Sequence, residues 1–66
     1  MMTREQFLAK KPLFLASVAG VALYEHPIYG DESPVMAVTK CGKVLETDFY
    51  ETDDIDAEYI AYLLAR

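Results

Sequence analysis

Eleven carboxylates, one thiol and one imidazole are the groups with chemistry to offer in this 66-residue chain. Seven of the acids fall between residues 46 and 58: Glu46, Asp48, Glu51, Asp53, Asp54, Asp56 and Glu58. No Lys or Arg interrupts them, so the segment carries −7 while the rest of the chain sums to +2. Carboxylates at this density suit three tasks: holding a hard cation, acid–base chemistry, or attracting a basic surface. A calcium site over Asp54, Asp56 and Glu58 is a poor match. Calcium takes about 6–8 oxygen ligands and favours a loop with a glycine turn. Here the acids sit on a predicted helix, where side chains at i and i+2 diverge, and no glycine is near. Acid–base catalysis needs a pocket, and ligand pockets start at about 300 Å³, more than a chain of this size is expected to enclose.

Cys41 and His26 are the one available nucleophile–base pair. Lys40 and Lys43 flank the thiol, which favours the thiolate, but a nucleophile also needs its base within hydrogen-bond reach. The three glycines are isolated, so no phosphate-cradling loop is present. One Cys and one His make neither an intrachain disulfide nor a Cys/His zinc cluster. The expectation is therefore a non-enzymatic protein with no catalytic residue, no metal site and no cofactor.

The remaining task is recognition. Glu46, Asp48, Asp53, Asp54 and Asp56 are expected to line a sheet edge and the adjoining helix start, with Tyr50 as an aromatic anchor of the kind enriched at interfaces. The partner is another protein with a basic surface, and the chain acts as a regulator, inhibitor or accessory subunit. A nucleic-acid mimic that blocks a DNA- or RNA-binding enzyme, as mobile elements encode, is the alternative. A structural self-associating domain is a third reading. In it Glu46 and Asp48 mark the wet face of a strand, and Asp53, Asp54 and Asp56 favour the positive end of a helix. The net charge of −5 argues against direct nucleic-acid binding and against an anionic membrane.

The elements that must position these residues read as follows. Thr3-Arg4-Glu5-Gln6 forms a capping box for a short helix carrying Phe7 and Leu8, which Pro12 ends. Residues 13–25 are apolar enough for a helix or a strand buried on both faces. A strand over 17–25 is expected, because it adds a third strand to the hairpin that follows. Residues 26–34 form a loop rich in turn residues. Residues 35–50 form that hairpin, in one of two registers. A two-residue turn at Cys41-Gly42 sets Lys40 against Lys43; a three-residue loop with Gly42 at positive φ pairs Thr39 with Lys43 instead. The second is favoured, and it puts Val35 and Ala37 on the face of Leu45 and Phe49. A final helix over 54–64, capped by Thr52 or Asp53, carries Ile55, Tyr59, Tyr62 and Leu63 on one face, with Ile60 and Leu64 as a second ridge.

The sum is one α+β domain over residues 1–66: a three-stranded antiparallel meander with a short N-terminal helix and a C-terminal helix packed on one face. Chains this short bury only about 60% of their unfolded surface, so self-association through Ile60 and Leu64 is an expected supplement. Arg4, Lys10 and Lys11 before the apolar run imitate a secretory signal. Cutting after Ala22 would leave about 44 residues, near the lower limit for an independent domain, so a buried element in a cytoplasmic protein is the preferred reading.

Overall fold

The capping box forms at the start of the chain: the Thr3 hydroxyl accepts the Gln6 N–H at 3.1 Å, and Gln6 Oε1 accepts the Thr3 N–H at 3.0 Å. It opens α1 (Arg4–Ala9) in the computed structural model, which describes residues 2–66. Lys11, directly before Pro12, leaves the helix at φ 56°, in line with the exclusion of helical geometry ahead of a proline.

The stretch that follows is two strands where one was expected. β1 (Phe14–Val18) and β2 (Val21–Tyr24) pair antiparallel, with Val18 opposite Val21 and a bulge between Phe14 and Ala16. Ala19 and Gly20 make the turn, with φ of 51° and 80°. Positive φ at both central residues is the geometry whose twist suits a two-residue hairpin. β3 (Met36–Val38) and β4 (Val44–Glu46) complete a four-stranded antiparallel sheet in the order β1-β2-β3-β4, correcting the three-stranded meander.

The second hairpin adopts the favoured register. Ala37 faces Leu45, and Val38 faces Val44. The Thr39 N–H donates to the Lys43 carbonyl at 2.9 Å across a loop in which Gly42 has φ 93°. Beyond β4 the ladder continues irregularly: the Val35 N–H donates to the Phe49 carbonyl at 2.8 Å, and the Thr47 N–H donates to the Val35 carbonyl at 2.9 Å. The buried Thr47 hydroxyl donates to the same carbonyl at 2.8 Å.

The final helix starts later than expected. Thr52–Asp54 is a single 3-10 turn, Ile55 is extended and buried, and Asp56 caps α2 (Ala57–Ala65) by accepting the Tyr59 N–H at 2.8 Å. Ile55, Ile60 and Leu63 pack on Val21, Leu23, Val35 and Ala37 to form the main core.

Phe7 is buried apart from that core, edge-on to Tyr24 with ring centroids 5.5 Å apart. Tyr24 follows Leu23 in β2, and successive strand side chains point to opposite faces. The helices therefore cover opposite faces of the sheet, not one face. The reason lies in the strands: Ala22, Tyr24, Met36 and Val38 are as apolar as the residues that alternate with them, so both faces need cover. Burying Phe7 contributes about 1.5–3 kcal/mol to holding α1 there.

The predicted second ridge of α2 also separates. Ile60 is 2% exposed and belongs to the core, whereas Leu64 is 46% exposed and Tyr62 58%. A contact between copies has Leu64 to use, but not Ile60. Among the described residues, no helix is long and apolar enough to cross a membrane.

Candidate functional site

The acidic run divides into three environments. Asp48 sits where the chain leaves β4. One of its carboxylate oxygens accepts the Tyr59 hydroxyl at 2.7 Å and Arg66 Nη1 at 2.9 Å, while its own N–H donates to the Tyr59 oxygen at 2.9 Å. Arg66 Nη2 also donates to the Glu46 carbonyl at 3.1 Å. Tyr59, Tyr62 and Arg66 follow one another at helical spacing. The Tyr59 ring meets Phe49 edge-on at 4.8 Å, and the Arg66 guanidinium lies 5.7 Å from the Tyr62 ring centre. The Tyr59 hydrogen bond, then the Arg66 charge, hold the Asp48 carboxyl below its ordinary range. Burial, then the Asp48 hydrogen bond, push the Tyr59 phenol up. The cation missing from the acidic run in sequence is thus supplied in space by the last residue. The pair is exposed on both sides, so its strength lies in the network rather than in charge alone.

Asp56 is occupied as a helix cap. Asp53 and Asp54 sit on the exposed 3-10 turn. Asp53 and Tyr50 turn towards the other acids of the fold. They line a cleft of about 370 Å³ with Leu15, Glu25, Gly30, Asp31, Ser33, Val35, Glu51 and Thr52. Four carboxylates, Glu25, Asp31, Glu51 and Asp53, line it together with the apolar Leu15 and Val35, and no Lys or Arg does. Tyr50 is 58% exposed at this site. Of the six residues singled out from sequence, Tyr50 and Asp53 belong to this cleft; Glu46, Asp48, Asp54 and Asp56 do not.

Glu25, Asp31 and Glu51 are the residues that sequence reasoning left out. Their meeting follows from topology. β2 ends at Tyr24, and the loop after it returns to Val35, which bonds to Thr47 and Phe49. Residues just after β2 and just after Phe49 must therefore share one end of the sheet. The favoured hairpin register already implied that Val35 meets Thr47, and this was the signal that could have found them. Among the described residues, no three His, Cys, Asp or Glu side chains converge closely enough to hold a metal.

The opposite end of β3 is basic. At the β3–β4 hairpin tip, Arg4, Lys40 and Lys43 line a second open cleft of about 450 Å³ together with Cys41 and one acid, Glu5. The exposed Cys41 Sγ lies 3.2 Å from the Thr39 hydroxyl, and that contact, with Lys43 behind it, lowers the thiol's pKa. His26 follows β2 at the acidic end, because Tyr24 pairs with Met36 at the start of β3. Thiol and imidazole are therefore separated by the length of β3, and they do not form the pair that nucleophilic catalysis requires.

The chain matches no family model, no curated protein and no solved structure.

Proposed function

We propose that this chain is a non-enzymatic protein-binding module that receives a basic segment of a partner protein in the cleft at the end of its sheet. One observation carries the reading: four carboxylates and an exposed tyrosine line one concavity with no cation among them. Carboxylates in this setting favour Lys or Arg side chains, and hydrogen bonds between charged groups are roughly twice as strong as neutral ones. Tyr50 offers a face for a guanidinium, worth about 0.5–1 kcal/mol at an exposed site. Leu15 and Val35 give the aliphatic stem of such a side chain a surface to pack on. The acids outside the cleft contribute long-range attraction rather than contact, speeding encounter in a salt-dependent way.

The test is binding of a fluorescent arginine- and lysine-rich peptide, followed by anisotropy at low and physiological salt. Asp31→Asn, Glu51→Gln and Asp53→Asn together remove three of the cleft's charges. Glu46→Gln, Asp54→Asn and Glu58→Gln together remove three from outside it. The expected result is a loss of affinity of tenfold or more in the first set (about 1.4 kcal/mol) and a weaker, salt-sensitive loss in the second. Equal losses in the two sets would reduce the interaction to net charge and overturn the cleft as the site.

A further inference from the structure

His26 organises the loop that forms one wall of the cleft. Its Nδ1 accepts two backbone hydrogen bonds, from the Ile28 N–H at 3.1 Å and the Tyr29 N–H at 3.2 Å. Its ring packs on that of Tyr29, with centroids 4.9 Å apart. The Gly30 N–H donates to the His26 carbonyl at 2.9 Å, closing the turn, and Gly30 takes φ 56°. Gly30, Asp31 and Ser33, which follow directly, are lining residues of the cleft.

We propose that His26 is a proton switch for this wall: the loop is held while Nδ1 is bare and released when Nδ1 carries a proton. The reasoning is elementary. An imidazole nitrogen accepts a hydrogen bond only through its lone pair. Two amide hydrogens directed at Nδ1 require the tautomer with hydrogen on Nε2. Protonation puts a hydrogen on Nδ1 against the two that already point there, so both bonds are lost together and the contacts become repulsive. The Gly30-to-His26 backbone bond does not depend on the ring, so the loop loosens without unfolding. Imidazole is the side chain that ordinarily changes charge between about pH 5 and 8.

Other titratable groups lie on the loop and across the cleft it borders. On its own loop these are Glu25, Tyr29, Asp31 and Glu32. Across the cleft they are Tyr50, Glu51 and Asp53. From the β1 side the chain brings Leu13, whose carbonyl accepts the Glu25 N–H at 2.9 Å, and Leu13 does not titrate. Among the described residues, no ion pair reaches His26. The inference rests on the proposed function only in that this loop is a wall of the proposed binding cleft.

The loop itself is read without any partner. Nitrogen-15 imidazole shifts at pH 8 are expected to show hydrogen on Nε2 and none on Nδ1. From pH 8 to pH 5 the Ile28 and Tyr29 amides should move in step with the ring, and their protection from exchange should fall about tenfold, the equivalent of one to two net hydrogen bonds. His26→Asn keeps a carbonyl acceptor near the same place but does not titrate, so its loop should hold at both pH values. His26→Ala should be loose at both. Hydrogen on Nδ1 at pH 8, or the same amide titration in His26→Asn, overturns the switch. Binding of the basic peptide, measured alongside at both pH values, should weaken at pH 5 in the wild type and not in His26→Asn. A loop that switches in a protein that never binds the peptide leaves the switch standing and overturns the proposed function.

Discussion

Replacing Ala19 by Asn tests the feature on which the sheet's construction depends. Ala19 sits at φ 51° in the β1–β2 turn, followed by Gly20 at 80°. An L-residue with a Cβ pays about 1–2 kcal/mol in the left-handed region, a cost that Asn largely escapes by bonding to nearby backbone. Asn-Gly is also the preferred pair for a turn with positive φ at both centres. Ala19 is exposed, so the change removes no packing. The expected gain is about 1 kcal/mol, which in a domain of 60–100 residues raises Tm by about 4–8 °C. Thermal melts followed by circular dichroism, together with urea titrations, measure it. Gly20→Ala is the counterpart: it sets a Cβ 3.1 Å from Lys40 Cε and puts a second strained residue in the turn, so stability should fall. The continuous strand expected over 17–25 makes the opposite prediction, since Asn is depleted in strands. An Ala19→Asn protein no more stable than the parent refutes the turn.

Four further variants probe the packing, the α2 cap and the Asp48 network. Ile60→Ala should cost about 2–4 kcal/mol in urea, as a fully buried aliphatic does, while Leu64→Ala should stay within about 0.5 kcal/mol; sedimentation equilibrium of the second variant reads any role of Leu64 between copies. Asp56→Ala should cost about 1 kcal/mol through loss of the α2 cap. Asp48, whose carboxyl is held below its ordinary range first by the Tyr59 hydroxyl and then by Arg66, contributes stability that is full above its unfolded pKa and is lost as pH falls through the lower folded value. Asp48→Asn should therefore flatten the acid side of the stability profile, read as urea midpoints between about pH 7 and pH 3. An unchanged acid side would refute the network.

What could be read from the chain was local and had one solution. Thr3 and Gln6 cap each other because both partners lie within one turn. Gly42 resolved the β3–β4 register because a paired Lys40 and Lys43 was the alternative. The β1–β2 hairpin was hidden for two reasons. Its turn places an alanine where asparagine is customary, and its strands pack on both faces, which erases the alternation that marks a strand. The start of α2 was displaced because Thr52, Asp53, Asp54 and Asp56 are all competent caps, and the burial of Ile55 decides among them. The candidate site was legible in part. Tyr50 and Asp53 belong to the conspicuous run, but Glu25 and Asp31 reach them across the sheet, and Arg66 returns to Asp48 over 18 residues. Long-range proximity of this kind is a property of the strand order, not of composition.

A sheet roofed on both sides has a consequence for how such a protein can change. Phe7 packs on one face and Ile60 with Leu63 on the other, so the buried strand residues Val21, Leu23, Ala37 and Val38 hold the scaffold. The loops at the strand ends carry no such duty. Residues 26–34 and 50–53 can be exchanged, lengthened or re-charged without disturbing the strand pairing, as long as Val35 keeps its bonds to Thr47 and Phe49. If the proposed function holds, partner choice at the acidic end can be redesigned independently of stability, and a library confined to those two loops is the place to begin.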